Sequence, residues 1–265
     1  MKYILVLLSV ATLTSACEEV IEVEVEDAAA KVVIEATLTD TPFNNQVILS
    51  QSGSYTNPGA YEAISGASVQ LESSSGTTFE LLEGDQAGVY QAEGLQGEIG
   101  ESYVLSVETE GETYVATSTL NPGIVIDSVG FVEGPDVPFR EPGPLMIAYL
   151  RAEERGQQQA RFWVQRNGEL DNGWYLFEGD LAPQVAQEFR FLQLEIKPGD
   201  TLTVISGSLD RPVYEYYYQL SEGSGGGFGG GAGTTPANPT NNLSGDALGY
   251  FGAMGITSTQ VIVPE

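Results

Sequence analysis

Carboxylates, hydroxyls and a single thiol are the groups with chemistry to offer in this 265-residue sequence, which contains no histidine. Without an imidazole there is no Ser-His-Asp triad, no histidine general base and no ordinary histidine-ligated zinc or iron centre. Acids number 37 against 10 bases, for a formal net charge of −27. A glycosidase needs only two carboxylates, but among so many acids any pair can be drawn and spacing singles out none. A calcium loop needs several oxygens at short spacing, as in Asp-x-Asp-x-Asp-Gly. Glu83-Gly84-Asp85 and Glu178-Gly179-Asp180 fall short of that and read as turns. No Gly-x-Ser-x-Gly elbow stands between a strand and a helix. The glycine-rich stretch at 223–233 lacks the lysine of a phosphate loop and follows a helical pattern, so a flexible loop is expected. The expectation is no catalytic residue, no metal ligand and no cofactor.

The thiol is different, because its position is informative. Lys2 precedes a short apolar run, Tyr3 to Leu13, which ends at Thr14-Ser15-Ala16 and then Cys17. A basic residue, a short apolar segment and a small-residue boundary make a secretory signal, and the run is too short to cross a bilayer, which takes ~20 residues. Residues 1–16 are therefore expected to be a signal peptide. Cys17 stands where bacterial lipoprotein signals place the cysteine that carries acyl chains such as palmitate. The usual Leu-(Ala/Ser)-(Gly/Ala)-Cys pattern is met except at its first place, where Thr14 stands and Leu13 comes one residue early. The competing reading is an ordinary signal peptide that leaves Cys17 as a free thiol, an oxidisable group that secreted proteins seldom expose. Lipidation of Cys17 is the expectation. As the sole cysteine it has no partner in the chain for a disulfide.

The acidic segment after it, within a tether at 17–30, begins Glu18-Glu19. Those two residues resemble the surface-export signals of Bacteroidota lipoproteins, against a plain reading as a solvated tether. Asp127-Ser128-Val129 and Asp200-Thr201-Leu202 resemble the Asp-Ser/Thr-aliphatic sites that the same bacteria O-glycosylate. Ser128 and Thr201 are thus candidate modification sites, although both fall on strand patterns, where burial is the simpler expectation.

These residues need a body to carry them, and its pattern is that of strands. Val32, Ile34, Ala36 and Leu38 alternate onto one face, and short runs with the same period recur up to Thr117, separated by Gly, Pro, Asn and Asp turns. Gly66-Ala67-Ser68-Val69-Gln70-Leu71, Gly88-Val89-Tyr90 and Tyr103-Val104-Leu105 follow the order of cues of immunoglobulin-like or prealbumin-like modules. The expected fold is all-β: a β-sandwich at 31–120, then a second β-rich domain at 121–265 with one short helix. Asn121-Pro122-Gly123 marks the boundary. Asp210 as N-cap, Pro212 in the first turn, and Val213, Tyr217 and Leu220 on one face predict the helix. The tyrosines at 214, 216, 217 and 218 read as core anchors in preference to a ligand-stacking surface.

Charge is uneven between the halves. Residues 18–120 carry nineteen acids and one base, Lys31, whereas residues 121–265 carry eighteen acids and eight bases. A charge of this sign repels nucleic acid and anionic membrane surfaces, so no nucleic-acid partner is expected.

The tail is the most specific internal motif. Asn238-Pro239-Thr240-Asn241-Asn242-Leu243-Ser244-Gly245, followed by Ala247-Leu248-Gly249-Tyr250-Phe251-Gly252-Ala253, resembles the terminal signature of a Bacteroidota lipoprotein family known as domain of unknown function 4249. The acidic start, the Gly66–Leu71 segment and Ile126-Asp127-Ser128-Val129 resemble it too. The long glycine insertion and Asp246, where glycine is frequent, depart from it. The resemblance implies location and company more than chemistry. It implies a non-enzymatic protein, lipid-anchored in the outer membrane through Cys17, the outward face being favoured, and accessory to a TonB-dependent receptor. The alternative is a structural or adhesive surface lipoprotein of the fimbrillin kind, and an envelope hydrolase ranks third.

Overall fold

The computed structural model describes residues 29–42, 44–53, 59, 61–135, 142–223 and 238–265. The expected signal peptide, Cys17, Glu18, Glu19 and all but the first residue of the glycine-rich loop lie outside those residues.

The first half builds strands from period-two alternation. They are β1 (Val32–Thr39), β2 (Gln46–Gln51), β3 (Ser68–Ser73), β4 (Thr78–Glu83), β5 (Val89–Gln91), β6 (Ser102–Thr109) and β7 (Glu112–Thr119). In β3, Val69 and Leu71 are buried while Ser68, Gln70 and Glu72 face solvent. In β6, Tyr103, Leu105 and Val107 turn inward. Burying an aliphatic side chain of this size contributes about 1.5–3 kcal/mol, so one face of each strand is committed to the core. Tyr90 is buried with its hydroxyl satisfied, donating to the Ile64 carbonyl and accepting from the Ala67 amide, both at 3.0 Å.

The second half continues with β8 (Val125–Glu133), β9 (Pro144–Arg151), β10 (Gly156–Arg166), β11 (Glu169–Leu170), β12 (Tyr175–Leu181), β13 (Gln187–Arg190) and β14 (Thr201–Leu209). Helix α1 (Arg211–Gly223) and strands β15 (Leu248–Met254) and β16 (Ile256–Ile262) close the chain. The protein is all-β with this one helix among the described residues. A three-stranded sheet, β13-β9-β8, faces a sheet of β11, β10, β14 and β16, with β12 also paired to β10. The core between them is aromatic at its centre, where Phe189 stacks on Phe162 at 4.9 Å and meets Phe191 edge-on at 4.8 Å. The strand pattern at 189–194 predicts a longer β13. It ends at Arg190 because Phe191 turns inward and closes a turn, the Leu194 amide reaching the Phe191 carbonyl.

The chain changes cores between Leu120, packed in the first, and Ile124, packed in the second. The expected second domain at 121–265 is not self-contained, however. Strand β15 leaves it and pairs in parallel with β1, from Val33 opposite Leu248 to Thr39 opposite Met254. Phe251 and Ala253 thereby join the first core. The resulting eight-stranded path runs β15-β1-β2-β5-β4-β3-β6-β7.

The segment before β15 brings the ends of that path together. Asn242 Nδ2 donates to the Phe251 carbonyl (2.7 Å), and its Oδ1 accepts from the Phe251 amide (3.0 Å). Ser244 answers Val115 of β7 in both directions, by its own amide and through its hydroxyl. Leu243 bridges Ala116.

Candidate functional site

Strand β10 has two faces with different tasks. Ala160, Phe162 and Val164 point into the second core, and Arg161, Trp163 and Gln165 alternate onto the opposite side. There α1 packs across the sheet, held by Leu209, Val213, Tyr214, Tyr217 and Met254. Tyr250 comes in from β15 and lies 5.0 Å from Tyr217 and 5.1 Å from Tyr216.

The result is a guanidinium enclosed by rings. The Arg161 Cζ lies 4.5 Å from the ring centre of Tyr217, 4.7 Å from Trp174 and 5.0 Å from Trp163. Each such contact is worth about 0.5–1 kcal/mol when exposed and about 2 kcal/mol or more when desolvated. Arg161 forms no ion pair among the described residues, and its Nε is buried without a hydrogen-bond partner. The rings hold this cation where a carboxylate ordinarily would.

Arg161 opens onto a recess of about 210 Å³ lined also by Thr37, Gln165, Leu170, Ile205 and Tyr250. Burial pushes the Tyr217 phenol well above its ordinary value, with the neighbouring Tyr250 adding to the rise and Arg161 opposing it. Burial likewise pushes Tyr216 up to about 12. Both therefore stay neutral at physiological pH. Among the described residues lining the recess, Arg161 is the one that carries a full charge. Such a site can hold an anion by charge and fork geometry, and an apolar body by its rings and aliphatic wall.

Sequence reasoning did not single out Arg161. The signal was available in part, since period two puts Arg161 and Trp163 on one face. Trp174, Tyr217 and Tyr250 arrive from other elements, and no local pattern announces them. The reading of the tyrosine cluster as core anchors fits Tyr214 and Tyr217, which are buried, but not Tyr218, which is 48% exposed.

The residues that were singled out lie elsewhere. Ser128 and Thr201 stand on different sheets, away from the recess. The expected burial of Ser128 is corrected: it is exposed, because β8 is irregular between Ile126 and Ser128 and Asp127 turns out to pair with Arg151. Thr201 is half-buried at the start of β14, its amide bound to Asn167 Oδ1 at 2.9 Å. Glu83 is a turn organiser. Its carboxylate accepts from the Gly88 and Gly66 amides, and the Ser65 hydroxyl leads these in holding its pKa below the usual range. Among the described residues no group of three or more acidic or thiol side chains is placed to hold a metal ion.

The tail motif, whose Asn242 joins β15 to β7 and whose Ser244 holds Val115 of β7, belongs to a wider match. The family described as "Domain of unknown function (DUF4249)" matches residues 18–260. The chain belongs to this family. The DUF4249 chain is also similar to a two fibronectin type-III domain segment from chicken tenascin, at 14% identity over 69% of this chain and 91% of that one. The TM-score of that likeness is 0.21, so the architecture of the DUF4249 chain rests on its own strands. No curated protein matches it.

Proposed function

We propose that the protein is a non-enzymatic binding lipoprotein of the bacterial outer membrane, anchored through acyl chains on Cys17 and accessory to a TonB-dependent uptake system. The observation that carries this reading is the position of Cys17, the chain's sole thiol, directly after a basic residue, a short apolar run and a small-residue boundary. The family match begins at residue 18, directly after it, which supports a mature chain starting at Cys17. Several acyl chains on one residue give firm anchoring, since each buried methylene adds ~0.8 kcal/mol. The Arg161 recess supports a binding role, because it offers a cation and rings for a ligand. Glu18 and Glu19 mark the outward face of the membrane as the destination.

The test is metabolic labelling with an acyl-chain probe in cells expressing the wild type or Cys17→Ala. The wild type should label and sediment with membranes, and the variant should do neither. Equal labelling would remove the anchor. Purification from solubilised membranes should recover a β-barrel partner, whereas self-assembled polymers would overturn the accessory role. Protease shaving of intact cells should cut the wild type and spare a Glu18→Ala, Glu19→Ala double variant.

A further inference from the structure

We infer that the recess around Arg161 binds a small organic monocarboxylate with a flat apolar body, its carboxylate on the guanidinium and its body against the rings. This rests on the reading of the protein as a binding protein, and is independent of the anchor.

The first argument is the missing carboxylate. With 37 acids and 10 bases in the chain, partners for an arginine abound. Arg151, Arg155, Arg190 and Arg211 each pair with one. Arg161 is instead enclosed by Trp163, Trp174 and Tyr217 and pairs with none among the described residues. Stacking on rings fixes the plane of the guanidinium, one donor meets the Tyr217 hydroxyl, and its Nε–H is left without a partner. The fork is then held in place for an incoming acceptor, which lowers the ordering cost of binding.

The second argument is charge number. One guanidinium compensates one negative charge. The tyrosines beside it remain neutral, and the molecule as a whole carries −27. A dianion such as phosphate would bring a second charge into that field with nothing to meet it. A carboxylate matches both the single charge and the planar, bidentate geometry.

The third argument is shape. Leu170, Ile205, Met254 and Ile256 form an apolar wall. Thr37, Thr39, Asn44 and Gln165 are polar groups at the recess. Its volume of about 210 Å³ falls below the ~300–1,000 Å³ of pockets for drug-sized ligands, which suits a smaller, single-ring acid.

The chain contains two tryptophans, and both stand against Arg161. Tryptophan emission, excited apart from the tyrosines, therefore reports on this site. Because Trp174 also borders a second recess beside Arg190, the titration is repeated in Trp174→Phe, where Trp163 alone reports. The experiment titrates the detergent-solubilised full chain with benzoate, its neutral isostere benzamide, and inorganic phosphate. Benzoate should change the emission saturably and bind about tenfold or more tighter than benzamide, since hydrogen bonds to charged groups contribute ~1.5–3 kcal/mol. Phosphate should bind more weakly than benzoate. Arg161→Gln should lose the preference for benzoate over benzamide while its circular dichroism stays that of the wild type. Equal binding of benzoate and benzamide, no saturable response, or tighter binding of phosphate would overturn the inference. Should Arg161→Gln fail to fold, the benzoate and benzamide comparison on the wild type decides alone. Cys17 labelling is unaffected by any of these results, so failure here is distinguishable from failure of the anchor.

Discussion

Ser118 on β7 donates a 2.7 Å hydrogen bond to Oδ2 of Asp210, the residue that caps α1. The same hydroxyl accepts from the Ala253 amide of β15 at 2.9 Å, and Asp210 Oδ1 accepts from the Val213 amide at 3.2 Å. One short relay thus joins the first sheet, the tail strand and the start of the helix that lays Tyr217 on Arg161. The recess depends on the junction between the two halves.

Asp210→Ala should therefore cost more than a helix cap. Loss of the cap costs ~1 kcal/mol, and the Ser118 hydroxyl left without its acceptor adds ~1–3 kcal/mol. A loss of about 2–4 kcal/mol is expected from urea unfolding, read as a lower midpoint at constant slope. A midpoint within error of the wild type would mean that the relay carries no stability.

The same carboxyl predicts a pH dependence. Burial pushes Asp210 above its ordinary 3.8, and the hydrogen bonds from Ser118, Val213 and Thr119 only partly offset that. The folded state then keeps this proton to higher pH than the unfolded state does. Its contribution is complete below the unfolded value and is lost as pH rises through the folded one. Urea midpoints of the wild type and Asp210→Asn, compared from about pH 3 to about pH 7, should show the wild type losing ground to the variant as pH rises. A difference that stays flat would refute the shift.

Much of the fold can be read from local pattern, and the exceptions share a cause. Val69 and Leu71, or Tyr103, Leu105 and Val107, announce their buried face through a period of two, and Asp210 with Pro212 announces a helix start. Strand β15 gives no such signal. Gly249 and Gly252 interrupt it, and its parallel pairing with β1 joins residues at opposite ends of the chain. The site follows the same division. Arg161 and Trp163 share a face that period two reveals, whereas Tyr217 and Tyr250 reach it only through the helix and the tail strand. Strand periodicity places Ser128 inward, but the register shift between Ile126 and Ser128 turns it to solvent, beside Asp127 paired with Arg151.

Asn242 is the tail motif's structural centre. Its amide group copies a strand by serving both the N–H and the C=O of Phe251, and it also donates to the Thr117 carbonyl at 3.2 Å. Asn242→Ala leaves both polar groups of Phe251 without this partner, beside a fully buried ring. Destabilisation of about 2–4 kcal/mol is expected, measured by urea unfolding. Asn242→Asp should recover little, since a carboxylate cannot donate to the Phe251 carbonyl. Full stability in Asn242→Asp would show that the donor half of the pair is dispensable.

Gly249 ties that motif to the recess. Its φ is +103°, a region that side chains rarely adopt, and a Cβ there would run into the Ile34 carbonyl of β1. Ile34 is its register partner in the parallel pair, so nothing can yield without parting the two strands. Gly249→Ala should cost about 3 kcal/mol or more, from backbone strain and overpacking together. The next residue is Tyr250, which lines the recess and packs on Tyr217. A shifted β15 should therefore also change the emission of Trp163 and Trp174 in the folded variant. Loss of stability with unaltered emission would confine Gly249 to strand pairing. Loss of stability with altered emission would mean that this glycine also sets the wall of the site.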